Sequence, residues 1–196
     1  MISAHSDVCI RQMQPDEADL AASFTQRECW TTETRAEFDG FLWHSPQGCL
    51  IAQIETQPVG ICVATPYREV GFVGELIVAE PYRGRGIGGR LLETAIHYLK
   101  QTGAHSIFLD GVQRAVPLYE RMGFRKICPS RRLHGVVPGR RLDSVRPMTA
   151  RDLVEVLELD REAFGADRSF FLQRRLELYP ELSWVLVTNQ RLAGFI

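Results

Sequence analysis

The chain has 196 residues, is 45% hydrophobic and carries a formal net charge of −1. This is the composition of a water-soluble globular protein with room for one full core and part of a second. A balance so close to neutral argues against nucleic acid or an acidic membrane surface as the main partner, because both ask for a large basic excess. The five cysteines, Cys9, Cys29, Cys49, Cys62 and Cys128, are odd in number and widely spaced, with no C-x-x-C pair. That pattern predicts buried, reduced thiols and neither a metal site nor a disulfide frame. The opening residues MISAHSDVC have neither the basic region nor the apolar core of a signal peptide. No apolar run nears the ~20 residues of a membrane span, so a cytoplasmic protein is expected.

In chain order, Val8 to Met13 read as a first strand, and Pro15, Asp16 and Glu17 start a helix with the acidic residues its dipole favours. Leu20, Ala21 and Phe24 form that helix's apolar side. A second helix is expected from about Thr32 to Trp43, with Thr32 or Thr34 as cap and Phe38, Leu42 and Phe41 as its buried stripe. Cys49 to Glu55 and Val59 to Thr65 then read as a hairpin joined by Thr56, Gln57 and Pro58.

The next stretch, FVGELIVAEPYRGRGIGGRLLETAIHYLKQT from Phe72 to Thr102, is a strand, an Arg/Gly loop and a helix in immediate succession. That order suits a bound anion. A helix start leaves backbone N–H groups unpaired and carries positive partial charge, and glycines let phosphate oxygens approach the main chain. The helix is marked by Ile87, Leu91, Ala95 and Leu99 at every fourth position, with Gly103 at its C-terminal cap. Ser106 to Asp110 reads as a buried strand. Strand, helix, strand implies a parallel crossover, so an α/β fold is expected, with a mixed sheet, antiparallel early and parallel late, flanked by helices. Ala115 to Met122 reads as a short helix closed by Gly123, followed by a strand pair at Phe124–Cys128 and Leu133–Val137. Arg131, Arg132, Arg140, Arg141 and Arg146 make the connector that follows locally basic, which reads as solvated surface or a phosphate contact.

An internal repeat begins at this connector. IRQM at Ile10–Met13 returns as VRPM at Val145–Met148, an offset of 135 residues from Arg11 to Arg146. LIAQIETQPVGI returns as VLVTNQRLAGFI, with Gly60 matching Gly194 at an offset of 134. Two matches at nearly one offset, with helical patterns between them, point to a complete domain over 1–138 and the opening half of a second over 139–196. The sequence stops within a strand at Ile196, which leads to the expectation of pairing with the first domain or another subunit in a homodimer, or of a chain shortened relative to its parent.

Arg83, Gly84, Arg85, Gly86, Ile87 and Gly88 resemble the Gln/Arg-x-x-Gly-x-Gly/Ala acyl-CoA motif of the GNAT superfamily of N-acetyltransferases. The later PLYERMGF, Pro117 to Phe124, resembles that family's C-terminal motif, and the match runs in element order over about residues 8–137. The resemblance implies a GNAT fold with two splayed central strands and an acetyl group passed from acetyl-CoA to a primary amine by direct attack, without a metal. It puts the diphosphate on amides from Gly84 to Gly89, with Arg83, Arg85, Ile87 and Arg90 in the same stretch, and the pantetheine arm on the backbone of Leu76, Ile77 and Val78. A strand amide near Ile77 or Val78 would stabilise the oxyanion. Tyr119 would protonate the departing thiolate, as a phenol of pKa ~10 can toward a thiol of ~8.5. Cys29, Trp30 and Trp43 fall where the family's first two helices line the acceptor pocket. Many family members carry asparagine seven positions before the tyrosine; here that place is Val112.

Alternatives stay open at several of these positions. Glu75 heads the central strand and reads either as a base acting through water or as a strand-edge carboxylate; Tyr119 by its helical spacing alone reads as core. His97, His105 and His134 are scattered and read as filler. Gly84, Gly86 and Gly89 also spell G-x-G-x-x-G, with Asp110 ending the next strand as a ribose-binding acid would, but Ala79 to Arg83 intervene between strand and first glycine. A non-catalytic domain that binds acyl-CoA as regulator or scaffold is the other alternative. The acceptor, a small-molecule or peptide amine, is not specified by the sequence.

Overall fold

The computed structural model of the chain describes residues 8–30, 32–130, 135, 139 and 142–196. It divides into two compact units, Met1–Pro129 and Ser130–Ile196. The first contains β1 (Val8–Gln12), α1 (Ala18–Arg27), α2 (Arg35–His44), β2 (Cys49–Ile54), β3 (Gln57–Tyr67), β4 (Val70–Val78), α3 (Ile87–Gln101), β5 (Ser106–Leu109) and α4 (Val116–Arg121). Its five strands lie in the order β1-β2-β3-β4-β5. The first three pairings are antiparallel and β4 with β5 is parallel, the mixed sheet that the strand–helix–strand pattern implies.

Side-chain alternation sorts the strands between two cores. Leu50, Ala52, Cys62, Ala64 and Val73 pack on one face with Ile87, Leu91, Leu92, Ala95 and Leu99 of α3. Cys49, Ile51, Ile61, Val63 and Ile77 pack on the other with Ala18, Ala21, Ala22 and Phe24 of α1 and Phe38 and Leu42 of α2. The sheet is therefore the middle layer, and the amphipathic stripe of α3 tucks under its centre.

Before α1, Pro15–Glu17 form a 3-10 turn with a capping box. The Glu17 carboxylate accepts the Gln14 amide at 2.8 Å and both ends of the Arg11 guanidinium at 2.6 and 2.7 Å. The Arg11 hydrogen bond holds the Glu17 carboxyl below its ordinary value against the opposing effect of burial. The second unit repeats this arrangement in β6 (Val145–Pro147), α5 (Leu153–Phe164), α6 (Ser169–Leu178), β7 (Trp184–Thr188) and β8 (Arg191–Phe195). There Arg146 holds Asp152 at 2.6 and 2.8 Å, and the Thr149 amide donates to Asp152 at 2.8 Å. The backbone bond Met13 N–H to Cys49 O, 2.8 Å, returns as Met148 N–H to Ser183 O, 2.9 Å. The register shift between Ala52 and Gln53 returns between Leu186 and Val187.

Several expected elements differ. The β2–β3 turn is Glu55–Thr56 alone, with Glu55 at φ +54°, and Gln57 and Pro58 already belong to β3. Pro58 sits opposite Gln53 at the register shift, a place where its missing N–H is tolerated. α2 begins at Arg35 after an extended Thr34. Phe124–Cys128 is not a strand: Arg125, Lys126, Ile127 and Cys128 are all exposed, so the run has no buried face to fix a register. The Leu133–Val137 strand and Arg131, Arg132, Arg140 and Arg141 lie outside the described residues, Gly135 apart. Of the cysteines, Cys49 and Cys62 are buried as expected, whereas Cys9, Cys29 and Cys128 are exposed. Burial and, after it, the Glu75 charge push the Cys49 thiol up to about 12, and Cys62 shifts the same way. Among the described residues, no helix is long and apolar enough to cross a membrane.

Replacing Glu17 by Gln removes both the guanidinium pair and the charged cap, and is expected to lower stability at pH 7 by about 1 kcal/mol. Because the Glu17 carboxyl titrates lower folded than unfolded, its contribution is present above its ordinary value near 4.5 and is lost as pH falls through the depressed one. Urea midpoints of wild type and Glu17→Gln should therefore converge as the pH is lowered below about 4.

Candidate active site

The site is set by what happens halfway along β4. Against β3, Ile77 faces Ile61 and Gly74 faces Val63, so Glu75 and Leu76 together oppose Cys62. This is a β-bulge, with Glu75 at φ +48°. The extra residue reverses the alternation, which is why Val73 points into the α3 core and Ile77 into the α1–α2 core. On its other side β4 pairs with β5 only over Val70–Val73. Past that point the strands part, and the backbone edge from Gly74 to Val78 borders a cleft of about 450 Å³.

One end of the cleft is the start of α3. Gly84 and Gly86 have φ of +75° and +80°, and a Cβ on either would meet nothing within 4 Å. Gly86 is the cap residue, and the first turn closes with Arg90 N–H to Gly86 O at 3.2 Å. The amides of Ile87, Gly88 and Gly89 thus have no intrahelical acceptor. Ile87, 1% exposed, pins this turn to the core. Gly88 is close to both neighbours, an added Cβ lying 3.5 Å from Leu118 and 3.7 Å from Val78.

The other end holds Tyr119, whose position follows from how α4 stops. Phe124 N–H reaches back to Tyr119 O at 3.0 Å and Gly123 N–H to Glu120 O at 3.0 Å, with Gly123 at φ +88°. This is a Schellman cap, and it brings the Phe124 ring edge-on to the Tyr119 ring at 6.3 Å. The spacing of tyrosine, glycine and phenylalanine in LYERMGF is the spacing of that cap. Gly111 completes the seat, since a Cβ there would stand 2.6 Å from the tyrosine ring. Tyr119 is 9% exposed and lines the cleft. Burial, then the Cys62 charge, raise its phenol above the ordinary value, and Arg114 offsets part of the rise.

α1 ends in the same motif. Trp30 N–H bonds Thr25 O and Cys29 N–H bonds Gln26 O, both at 3.0 Å, with Cys29 at φ +61° where glycine is usual. The residues on either side of that turn, Glu28 and Trp30, line the cleft, and Cys29 projects away, exposed. The Glu28 carboxylate pairs with Arg83 and with Arg114. Burial pushes the carboxyl up, but the Arg114 hydrogen bond and the two guanidinium charges outweigh it and hold it below its ordinary value. Arg83 also donates Nε–H to Val78 O at 2.8 Å.

Of the residues singled out in the sequence, Glu75, Leu76, Ile77, Val78, Arg83, Gly84, Gly86, Ile87, Gly88, Gly89, Tyr119 and Trp30 come together around the cleft. Arg85 lies over the Tyr82 ring at 5.3 Å and donates to Pro81 O, and neither it nor the exposed Arg90 lines the cleft. Cys29 and Trp43 are not brought to it either. The first is turned out by its left-handed backbone, and the second is 77% exposed on the outer side of α2. Glu28 and Arg114 escaped sequence reading. They pair with each other across 86 residues, and Glu28 with Arg83 across 55, which no local pattern encodes. The doublet of positive-φ glycines in the loop was readable; the bulge at Glu75 was signalled only by Gly74 before it.

A mixed sheet with a parted strand pair and a glycine-rich helix start between its walls defines an acyltransferase-type α/β fold. The profile of the Acetyltransferase (GNAT) family matches residues 16–124, and that of an Acetyltransferase (GNAT) domain matches residues 156–196. The first match covers more than half of the chain, and the chain belongs to the GNAT acetyltransferase family. Over 91 residues it is 34% identical to an N-alpha-acetyltransferase MAK3 of Arabidopsis thaliana, 43% of this chain and 47% of that one. Over 84 residues it is 30% identical to a glucosamine 6-phosphate N-acetyltransferase of Trypanosoma brucei brucei, 42% of this chain and 55% of that one. The chain thus spans about half the length of these curated relatives. A crystal structure of a Pyrococcus horikoshii protein, provisionally assigned as an acetyltransferase, superposes with TM-score 0.70 at 22% identity, over all of this chain and 73% of that one. At that identity the likeness is one of fold.

Two glycines test the seats at either end. Gly111→Ala drives a methyl into the Tyr119 ring and is expected to cost about 1–3 kcal/mol in chemical denaturation. Gly86→Ala meets open space, so its cost is the positive φ alone, about 1 kcal/mol.

Proposed function

We propose that the chain is an N-acetyltransferase that moves an acetyl group from acetyl-CoA to a primary amine by direct attack. The observation that carries this reading is that β4 stops pairing with β5 at Val73, so that its continuation Gly74–Val78, the start of α3 and Tyr119 line one cleft. The residues present suit such a donor. Gly84 and Gly86 face open space at the helix start, where a diphosphate finds amides and positive partial charge, and the strand edge matches an amide-bearing arm.

Acetyl-CoA supplies the activated acetyl group and a thiolate leaving group. In this reading the amides of Ile87, Gly88 and Gly89 hold the diphosphate, and the edge of Leu76–Val78 aligns the arm, with Ile77 or Val78 N–H polarising the acyl oxygen. The amine nitrogen bonds to the acyl carbon as the carbon–sulfur bond breaks, and the sulfur leaves with the Tyr119 proton. The proton surrendered by the amine passes through water to Glu75 and on to restore the phenol. Glu75 supports its part by lying on the bulge within the cleft lining, and Tyr119 by a phenol that burial keeps protonated. The domain limits 1–138 and 139–196 belong to the same proposal, the first carrying this chemistry.

Free CoA release with a panel of primary amines tests the reading, and a preparation that binds acetyl-CoA but acetylates none of them would favour a binding module instead. Tyr119→Phe is expected to lower kcat by about 100-fold or more, the usual scale of a general acid. Since the phenol titrates above its ordinary value of 10, the Tyr119-dependent part of kcat should hold up to about pH 10 and fall above it, and Tyr119→Phe should lack that alkaline fall.

A further inference from the structure

β4 and β5 stop pairing after Val73 and the cleft opens between their continuations, yet one set of ion pairs still joins the two sides. Arg83 follows β4, Arg114 follows β5 and Glu28 follows α1, and all three line the cleft. One Glu28 carboxylate oxygen accepts from Arg83 and the other from Arg114, so a single carboxylate links the wall after β4 to the wall after β5. The two halves of this link are unequal. The Glu28 side chain is 14% exposed on a turn fixed by the Schellman cap at Cys29, and Arg83 is held a second time, by its Nε–H to Val78 O at 2.8 Å. Arg114 reaches in from a short 3-10 turn, Gln113–Ala115, and its side chain is 62% exposed. An ion pair that open to water is weak, because solvent screens it and two long side chains lose freedom to make it. The Arg114 half of the link is therefore the half that opens.

We propose that the Arg114–Glu28 pair is a latch on the donor cleft: closed, it ties the β5 wall to Arg83 and obstructs the arm of an acyl-CoA donor, and the arm enters when Arg114 swings out to solvent. This rests on the acetyl-CoA reading and adds to it a control on donor entry. The strand continuation Gly74–Val78, along which that reading lays the arm, lines the same cleft of about 450 Å³ as the three charged residues, so the closed bridge and the arm draw on one space. A donor that binds only the open form associates more slowly by the fraction of molecules that are open, and a change that breaks the latch removes that loss.

The experiment measures association and dissociation rates of CoA by stopped-flow tryptophan fluorescence, Trp30 being part of the cleft lining, in wild type, Glu28→Gln, Arg114→Gln and the double variant. The two single changes alter the charge of the cleft in opposite senses. If the residues act on the anionic donor through charge alone, Glu28→Gln speeds its association and Arg114→Gln slows it. A latch predicts that both speed it, by about two- to fivefold, the scale of an exposed ion pair. The double variant should gain no more than the larger single change, because both break one contact. Dissociation should stay unchanged in all three, since the latch does not close while the arm lies in the cleft. Association that slows in Arg114→Gln, that rises less than about twofold in either single variant, or that rises multiplicatively in the double variant overturns the proposal. Dissociation that speeds up as much as association also overturns it. If wild type and all three variants fail to bind CoA, it is the acetyl-CoA reading that fails and the latch falls with it, whereas CoA binding with unaltered rates removes the latch alone.

Discussion

The structure depends on one interrupted pairing. β4 is hydrogen-bonded to β3 along its length but to β5 over four residues only, and the bulge at Glu75 lies just past the point where the second partner is lost. A backbone edge in the middle of a sheet is costly unless water or a ligand satisfies it, since each unpaired donor or acceptor left dry forfeits a few kcal/mol. Here the strands part around a cleft of about 450 Å³, so the edge borders open space and not packed side chains. Both cores survive the break. The bulge turns Ile77 into the α1–α2 core while Val73 stays under α3, so the strand remains buried on alternate faces at each end.

Around that edge, helix endings place the side chains. α1, α3 and α4 all close by the same pair of reverse bonds, at Cys29, Gly103 and Gly123. A Schellman cap fixes the two residues beyond the helix as well as the last turn, so it serves to aim groups that a frayed end would leave loose. In α4 it aims Tyr119, held by Phe124 on one side and by the close approach of Gly111 on the other. In α1 it aims Glu28 and Trp30 together. The use of cysteine instead of glycine at φ +61° in α1 costs on the order of 1 kcal/mol.

The second unit bears on which interactions the framework needs. Its sequence has drifted from the first, with Thr149 for Gln14 and Asp152 for Glu17, yet the bidentate guanidinium pair and the capping box persist in both. The shorter Asp152 still reaches Arg146, and Thr149 adds a hydroxyl bond to it at 2.8 Å that Gln14 has no equivalent for. Arg11 and Arg146 each tie the end of the first strand to the first turn of the following helix, before any long-range contact is required. A local clamp that survives substitution of two of its three members is held by geometry: a planar fork facing a carboxylate six residues on.

How much of this could be read from the sequence follows from the range of each interaction. The α3 stripe, the glycines at positive φ and the tyrosine–glycine–phenylalanine cap are local, and all three stand in the residues themselves. So does the mixed sheet, because a strand–helix–strand run admits one crossover geometry. The sequence makes the β2–β3 turn one residue too long because Pro58 normally marks a turn, whereas the register shift opposite Gln53 lets it sit inside a strand. Phe124–Cys128 reads as a strand in the sequence, but Ile127 at 76% exposure has no face to bury against. Glu28 carries no such local mark, because a polar residue at the end of a helix ordinarily faces solvent. Its meaning comes from Arg83 and Arg114, which reach it only after β4 and β5 have parted, so the residue is defined by the cleft and not by its neighbours in the chain.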